Sequence, residues 1–397
     1  MSLRIVVVGG GIGGLSLARE LVIRKLGVVV LERASKLGTV GAGIIMNPNA
    51  MRVLEMNGLA TSVRAQSRPY LARWTFDQRG RWLATRDYRP LYAAGRLAAG
   101  ALVHRAHLHQ CLYDGLPPDT VHFDARARDV HVSADGVKVE TDAGETVTGD
   151  VLVGADGIRS TVRARCFGTS EPIYLGYRSH RFVVENGDGL QDFTEFLGRG
   201  RRIGLVPIGG DQLYVWTTFN SPPASRAWGL ESAATLRSMF GEFTDARVRR
   251  TFDRLTSTDA VLCTDIEEVR QPVWVSDRVA LLGDAAHALT PNMGQGAGMA
   301  MEDAVVLAEE LERADRGTTR LADALARYAR RRQPRVETIV GLSRLVGEEG
   351  QLEGVLACWR RNRRLRREGQ AVSHVHATLE RLLAWPVDGD DEGTPPR

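Results

Sequence analysis

The sequence predicts an α/β protein: a parallel sheet flanked by helices, with an inserted, mostly antiparallel sheet and further helices at the end. Three observations predict it. Residues 3–33 read as strand, glycine turn, helix, strand. Two later apolar strands, Val151 to Val153 and Val279 to Leu282, also run straight into glycine turns and then helices. Between 171 and 270 the pattern changes to alternating strands and turns. The division expected is a discontinuous first domain (1–170 plus 271–345), a sheet domain at 171–270, and a C-terminal helical region at 346–397.

The first strand, Arg4 to Val8, is apolar almost throughout, as a strand buried on both faces should be. Gly9, Gly11 and Gly14 then spell GxGxxG, with Gly13 inside the same run. The first glycine permits the tight turn, the second lets backbone approach a pyrophosphate, and the third lets the helix pack on the strand. Leu15, Ala18, Leu21 and Val22 follow at helical spacing. Val28 to Leu31 is the second strand, and Glu32 at its end can accept hydrogen bonds from a ribose. Held between two strands and followed by the acid, the glycine run is a strong dinucleotide signature; alone it would be a structural turn. Glu32 would repel a 2′-phosphate, which favours FAD or NAD over NADP, although Arg33 beside it blurs that preference.

Thr148 to Arg163, TGDVLVGADGIRSTVR, is again an apolar strand followed by Asp156 and Gly157, with Ser160 as a helix N-cap. Asp156 can tie down this turn through its own side chain, and Gly157 leaves room for a ligand. The third block, GDAAHALTPNMGQGAGMAMEDA from Gly283 to Ala304, places Gly283 and Asp284 at the carboxyl end of a buried-type strand. Open α/β sheets bind ligands there. The helix starting near Gly296 directs its free N–H groups and dipole at whatever lies in front of it. Gly294, Gly296 and Gly298 would let backbone come close to a ligand.

The 397 residues carry 52 basic against 48 acidic groups, and lysine occurs only at Lys25, Lys36 and Lys138. That near-balance argues against a nucleic-acid surface. Cys111, Cys166, Cys263 and Cys358 are scattered, without zinc or disulfide-framework spacing. No apolar run approaches the roughly 18 residues of a spanning helix, and no signal peptide is recognisable, so a cytoplasmic protein is expected.

GGGIGG with Glu32, GADGIRSTVR and the Gly283 block together resemble the single-component FAD-dependent monooxygenases of the aromatic hydroxylase family, which includes salicylate, 3-hydroxybenzoate and urate hydroxylases. GAGIIMNPNAMRVLEMNGL, Gly41 to Leu59, resembles the same family's segment after the second strand. The resemblance covers roughly residues 1–345. It implies an FAD-binding Rossmann-like domain of the GR2 type, with NADH or NADPH as transient co-substrate and no dedicated domain for it. It also implies a flavin C4a-hydroperoxide that hydroxylates an aromatic or heteroaromatic small molecule. A flavin-dependent epoxidase, with or without rearrangement, and a non-oxygenating flavin reductase are the competing readings. A monomer or homodimer is expected. Flavin halogenases drop out because their WxWxIP signature is absent.

Carried over residue by residue, the resemblance gives Gly9, Gly11, Gly13, Gly14, Glu32 and Arg33 to the ADP part of FAD, and Arg105 to its ribityl-pyrophosphate region. Asp156 and Gly157 match the motif associated with the FAD and NAD(P)H pyrophosphates, and Asp284 matches a ribityl contact. Pro291 borders the isoalloxazine, and Gly294, Gln295, Gly296, Ala297, Gly298 and Met299 supply the contacts to its pyrimidine end. Gly298 departs from the Asn or Cys of many relatives. No metal site is expected. His287 is a candidate base, with a hydrogen-bonded structural role as the competing reading.

In the sheet region DFTEFLG, RRIGLVP and QLYVWTTFN read as a meander. Along the last strand Gln212, Tyr214, Trp216, Thr218 and Asn220 share one face, and Leu213, Val215, Thr217 and Phe219 the other. Tyr214 and Trp216 suit an aromatic ligand or a core, and Arg181 suits a substrate carboxylate or the surface. Leu321 to Leu345 reads as a long helix. CWRRNRRLRREGQ beyond it is a solvated face or an acidic-membrane contact, and DGDDEGTPPR reads as a disordered end.

Overall fold

The computed structural model describes residues 2–38, 42–168, 170–222, 232–369 and 372–385. Gly41, the first residue of the GAGIIMNPNAMRVLEMNGL segment, and the DGDDEGTPPR end lie outside them. Arg4–Val8 lies at the centre of a five-stranded, all-parallel sheet, between Val151–Gly154 and Gly27–Leu31; Val279–Leu281 and Val121–His122 form its edges. Val6 pairs with both Leu152 and Val29. Burial on both faces explains the unbroken apolar runs: Ile5, Val6, Val7, Leu152, Val153, Val279 and Leu281 are all fully buried. The helices Ile12–Ile23 and Gly296–Asp315 pack on this sheet and on each other, and a Cβ at Gly13 would stand 2.6 Å from Leu282 and 3.2 Å from Ala300.

The expected meander is realised as Phe193–Leu197, Arg201–Ile208 and Gln212–Asn220, within a seven-stranded sheet. Ile173–Glu185 and Leu262–Glu268 extend it on one side. On the other side stand Ala72–Asp77 and Trp82–Asp87. These last two strands come from the 1–170 segment, and Phe193–Leu197 pairs parallel with Ala72–Asp77. The sheet therefore reaches beyond 171–270, a long-range pairing that no local pattern signals.

The two faces of Gln212–Asn220 separate as the period of two requires. Leu213, Val215 and Phe219 join Phe182, Phe196, Ile203 and Phe240 in one core. Tyr214 and Trp216 turn the other way, to Tyr70, Leu102 and Phe193. That second face meets the first domain through the strand Gly43–Met46, where a Cβ on Gly43 would touch the Tyr214 ring at 2.6 Å. The long helix runs Leu321–Gly350, followed by helices Val355–Glu368 and Val372–Leu383. Among the described residues no helix is long and apolar enough to cross a membrane, and no group of acids, His and Cys could hold a metal ion.

Candidate active site

The carboxyl ends of the central strands converge on one edge, where Gly9, Glu32, Asp156 and Asp284 all stand. The glycines there divide by role. Gly9 adopts φ +108, and a Cβ on it would lie 2.4 Å from the Ala155 carbonyl oxygen; a Cβ on Gly14 would lie 1.9 Å from that of Gly9. Both are demanded by the fold itself. Gly11 and Gly296 have nothing within 4 Å of a built Cβ. Each stands at the start of a helix that has neither a side-chain cap nor an acid in its first turn. The first N–H groups of both helices thus face open space with their dipoles aligned on it, the arrangement that holds an anion. A pyrophosphate fits the first and the electron-rich pyrimidine end of a flavin the second.

Glu32 is anchored for a ribose: its Oε2 accepts from the Gly10 N–H at 2.7 Å and its Oε1 from the Ala34 N–H at 2.8 Å. Arg33 is exposed. Arg105, also exposed, opens the helix Arg105–Tyr113, which His104 caps by accepting from the Ala106 N–H at 3.3 Å. Asp284 is exposed just beyond Val279–Leu281, and its carboxylate has no partner among the described residues. Asp156 is committed to its own turn, accepting from Ser160 Oγ at 2.5 Å and from the N–H groups of Thr161 and Val162 at 2.7 and 3.2 Å. Burial raises its carboxyl against those hydrogen bonds. Ser160 caps the following helix through the Arg163 N–H at 2.9 Å. Asp156 therefore shapes the edge, while Gly157 beside it is partly exposed.

The Pro291–Met299 loop presents its residues in two directions. Pro291 is exposed, and Gly294, Gly296 and Ala297 are partly so. Gln295 and Met299 are fully buried. The Gln295 Oε1 accepts from Asn49 Nδ2 at 2.9 Å, and the Met299 N–H is spent on the Gln295 carbonyl at 2.9 Å. Gly298 faces the same interior: a Cβ there would come within 2.7 Å of Asn49 Nδ2 and 3.1 Å of Gln295 Oε1. Its departure from Asn or Cys makes room for the Asn49–Gln295 pair.

His287 is buried, with Nε2 2.6 Å from Asp303 Oδ2 and its ring 5.0 Å from that of Trp274. It is thereby directed into the core, where a hydrogen-bonded structural role accounts for it. Asp303 also accepts from the Gly283 N–H at 3.1 Å and from Arg332 Nε at 2.7 Å. Burial raises its carboxyl, but His287 and Arg332 outweigh that and hold it at about 2. Arg332 pairs again with Glu302 at 2.7 Å, and Glu302 accepts from Asn49 at 2.8 Å. One buried network thus braces both the Gly283 turn and the Gln295 loop.

Above the loop stands the Tyr214–Trp216 face. Trp216 lies over Gly204, under the Arg202 guanidinium at 5.1 Å and edge-on to Phe193. Arg202 donates to Asn292 Oδ1 at 2.9 Å, and Asn292 donates to Tyr177 Oη at 2.9 Å, so the sheet is tied to the residue after Pro291. Arg181 is half-buried, and its backbone pairs with that of Trp216. Burial raises the Tyr214 phenol, and Arg181 and Arg105 act in the opposite sense from nearby.

Nothing local in the sequence marks Asn49, Asn292, Arg202 or Arg332 as builders of this site; Glu302 and Asp303 are marked only as an acid pair inside an otherwise apolar helical stretch.

Residues 2–343 match the family model described as an FAD binding domain. The chain is 36% identical over 373 residues to an aurachin C monooxygenase/isomerase of Stigmatella aurantiaca, covering 92% of this chain and 94% of that protein. It is 30% identical to the 2-heptyl-3-hydroxy-4(1H)-quinolone synthase of Pseudomonas aeruginosa, covering 90% and 92%. Klebsiella pneumoniae HpxO, solved with FAD and uric acid, superposes with a TM-score of 0.86 at 28% identity, covering 97% of this chain and 98% of that one. With a dinucleotide edge, two open helix N-termini and an aromatic sheet face above them, the chain belongs to the FAD-dependent monooxygenases of the aromatic hydroxylase family.

Proposed function

We propose that this monooxygenase oxygenates a bicyclic heteroaromatic of the quinolone type in the cytoplasm, with NADH or NADPH as reductant and dioxygen as oxygen donor. The aromatic face carries the proposal: Trp216 is half-buried over Gly204, with Arg202 at 5.1 Å and Phe193 edge-on, and Tyr214 is buried beside it. The part of the indole left exposed offers an apolar edge to a planar ring system. The relative named a 2-heptyl-3-hydroxy-4(1H)-quinolone synthase supports the ring class. The four unpaired cysteines suit a reducing compartment.

Bound FAD supplies the redox and oxygen chemistry, and the protein supplies position and environment. Gly11 and the helix Ile12–Ile23 would hold the pyrophosphate, Glu32 the ribose and Asp284 the ribityl hydroxyls. The N–H groups at Gly296 and Ala297 would stabilise negative charge on the pyrimidine end. Arg181 would face an oxyanion or enolised carbonyl of the substrate, and the Tyr214–Phe193–Leu102 surroundings exclude water. The relative named a monooxygenase/isomerase favours a second reading, epoxidation of a ring double bond followed by rearrangement.

The test is NADH and NADPH oxidation by the FAD-loaded protein with quinolones, hydroxybenzoates and purines, with peroxide measured in parallel and labelled dioxygen supplied. Strong acceleration by a quinolone, little peroxide and one labelled oxygen in the product is the expected result. Acceleration by hydroxybenzoates or purines alone would overturn the substrate class, and an unlabelled product would overturn oxygen transfer.

A further inference from the structure

The outer face of the helix Val355–Glu368 has no part in the chemistry above, yet it is unusually built. Its inner side is fastened: Arg361 is buried and donates to the Gly198 carbonyl at 3.0 Å, and Cys358 donates to that of Leu352 at 3.1 Å. Its outer side exposes Val355, Leu356 and Trp359 by 67, 58 and 54%, and Leu345 on the neighbouring helix is 60% exposed. Scattered exposed apolar residues need no explanation, but three within five positions on one helix make a patch.

At about 100° per residue, Arg360, Arg363 and Arg367 project from the same half of the helix as that patch. All three are exposed, and none has an acidic partner among the described residues. Arg363 lies 5.3 Å over the Trp359 ring, whereas Arg364 is paired with Glu349 and Glu368. An apolar turn with an indole, continued by unpaired guanidinium groups, is the composition of a helix lying in a lipid interface.

We propose that this face docks the enzyme peripherally on an anionic phospholipid bilayer. Val355, Leu356 and Trp359 enter the headgroup boundary, and Arg360, Arg363 and Arg367 meet the lipid phosphates. A nucleic acid would use the arginines and leave Val355 and Leu356 without a role, so the lipid accounts for more of the surface. The position also matters. Gln351 and Glu353, just before the helix, line a cavity of about 480 Å³ together with Tyr177 and Gly347. Tyr177 bonds Asn292, next to Pro291. The start of this helix is thus joined, through the Tyr177 wall of the cavity, to the Pro291–Met299 loop. The docking itself stands independently of the substrate proposed above.

Flotation of the full-length, FAD-loaded protein with vesicles tests this. Retention is expected at low salt on phosphatidylcholine vesicles containing about one-third phosphatidylglycerol, not on phosphatidylcholine alone, and lost in about 1 M salt, where screening acts within about 3 Å. Each arginine near such a surface is worth about five-fold in partitioning. Arg360→Gln, Arg363→Gln and Arg367→Gln together should therefore weaken retention roughly a hundredfold. Flavin absorbance and thermal unfolding of that variant should match the parent. Trp359→Ser, with all arginines kept, should also weaken retention. No retention at low salt, equal retention on both vesicles, or an unchanged triple variant would overturn the proposal. So would retention of duplex DNA without retention on vesicles, which would assign the face to nucleic acid.

Discussion

Replacing Gly11 and Gly14 in turn by alanine separates ligand recognition from folding within one six-residue motif. Gly11 has φ −72 and ψ −175, which alanine adopts freely, and its new methyl would meet no atom within 4 Å. In the apoprotein Gly11→Ala should therefore be neutral or stabilising, by roughly 0.4–1 kcal/mol from the restricted unfolded chain. The same methyl projects into the space ahead of the Ile12–Ile23 N-terminus and holds a pyrophosphate away. Losing one hydrogen bond to a charged group costs about 1.5–3 kcal/mol, so FAD affinity should fall roughly ten- to hundredfold. Gly14→Ala puts its Cβ 1.9 Å from the Gly9 carbonyl oxygen, and no side-chain rotation can relieve an overlap with backbone. That variant should lose folding and FAD together. Titration of each apoprotein with FAD by flavin fluorescence quenching, beside thermal unfolding without FAD, reads both quantities. A Gly11→Ala protein with parental FAD affinity, or with an unstable apo form, would refute this assignment of roles.

Three further outcomes follow from the site. Asp303→Asn leaves Arg332 and His287 facing a neutral amide in a fully buried position, and should cost about 3 kcal/mol near neutral pH. Because the Asp303 carboxyl is depressed from 3.8 to about 2, its contribution is complete above 3.8 and lost as pH falls toward 2. The stability gap between parent and variant, measured by urea unfolding, should narrow across that window; a constant gap would contradict it. Gly298→Ala should push the Asn49 amide off Gln295 and Glu302, at about 1–3 kcal/mol. Adding Asn49→Ala should make the two costs non-additive in thermal unfolding, whereas simple additivity would place the methyl elsewhere. Arg181→Gln should raise the substrate KM several-fold with little change in FAD affinity, which steady-state kinetics and flavin titration check.

The cofactor edge was legible because its signals are local. A glycine that must pass close to backbone, an acid at a strand end and an apolar run buried on both faces each announce themselves within a few residues. Gly9, Gly11, Gly14 and Glu32 stand where their spacing puts them, and the opposed faces of Gln212–Asn220 follow from a period of two. The motif's order assigns Gly11 to a ligand and Gly14 to packing, but only the placed backbone gives the distances behind that division. One faces open space and the other a carbonyl oxygen, a difference that exists only once Gly9 and Ala155 are placed by the sheet. The parallel pairing of Phe193–Leu197 with Ala72–Asp77 was equally invisible, since it joins segments more than a hundred residues apart.

The hidden part of the site is its bracing, and the reason is physical. A charge buried in a core must find its counter-charge, and nothing in local sequence says where the partner comes from. Glu302 and Asp303 sit nearly two turns into the helix Gly296–Asp315, and they are satisfied by Arg332 from the next helix and Asn49 from another. Through Asp303 the same network holds the Gly283 N–H, and through Asn49 it holds Gln295. The two turns that would enclose the flavin are thus fastened to one arginine behind them. This also accounts for His287. A histidine in a cofactor loop invites a chemical role, but its Nε2 lies 2.6 Å from an acid already shared with Arg332 and the Gly283 backbone. A proton moved there would disturb the turn it supports, so its position favours holding the loop over reacting in it.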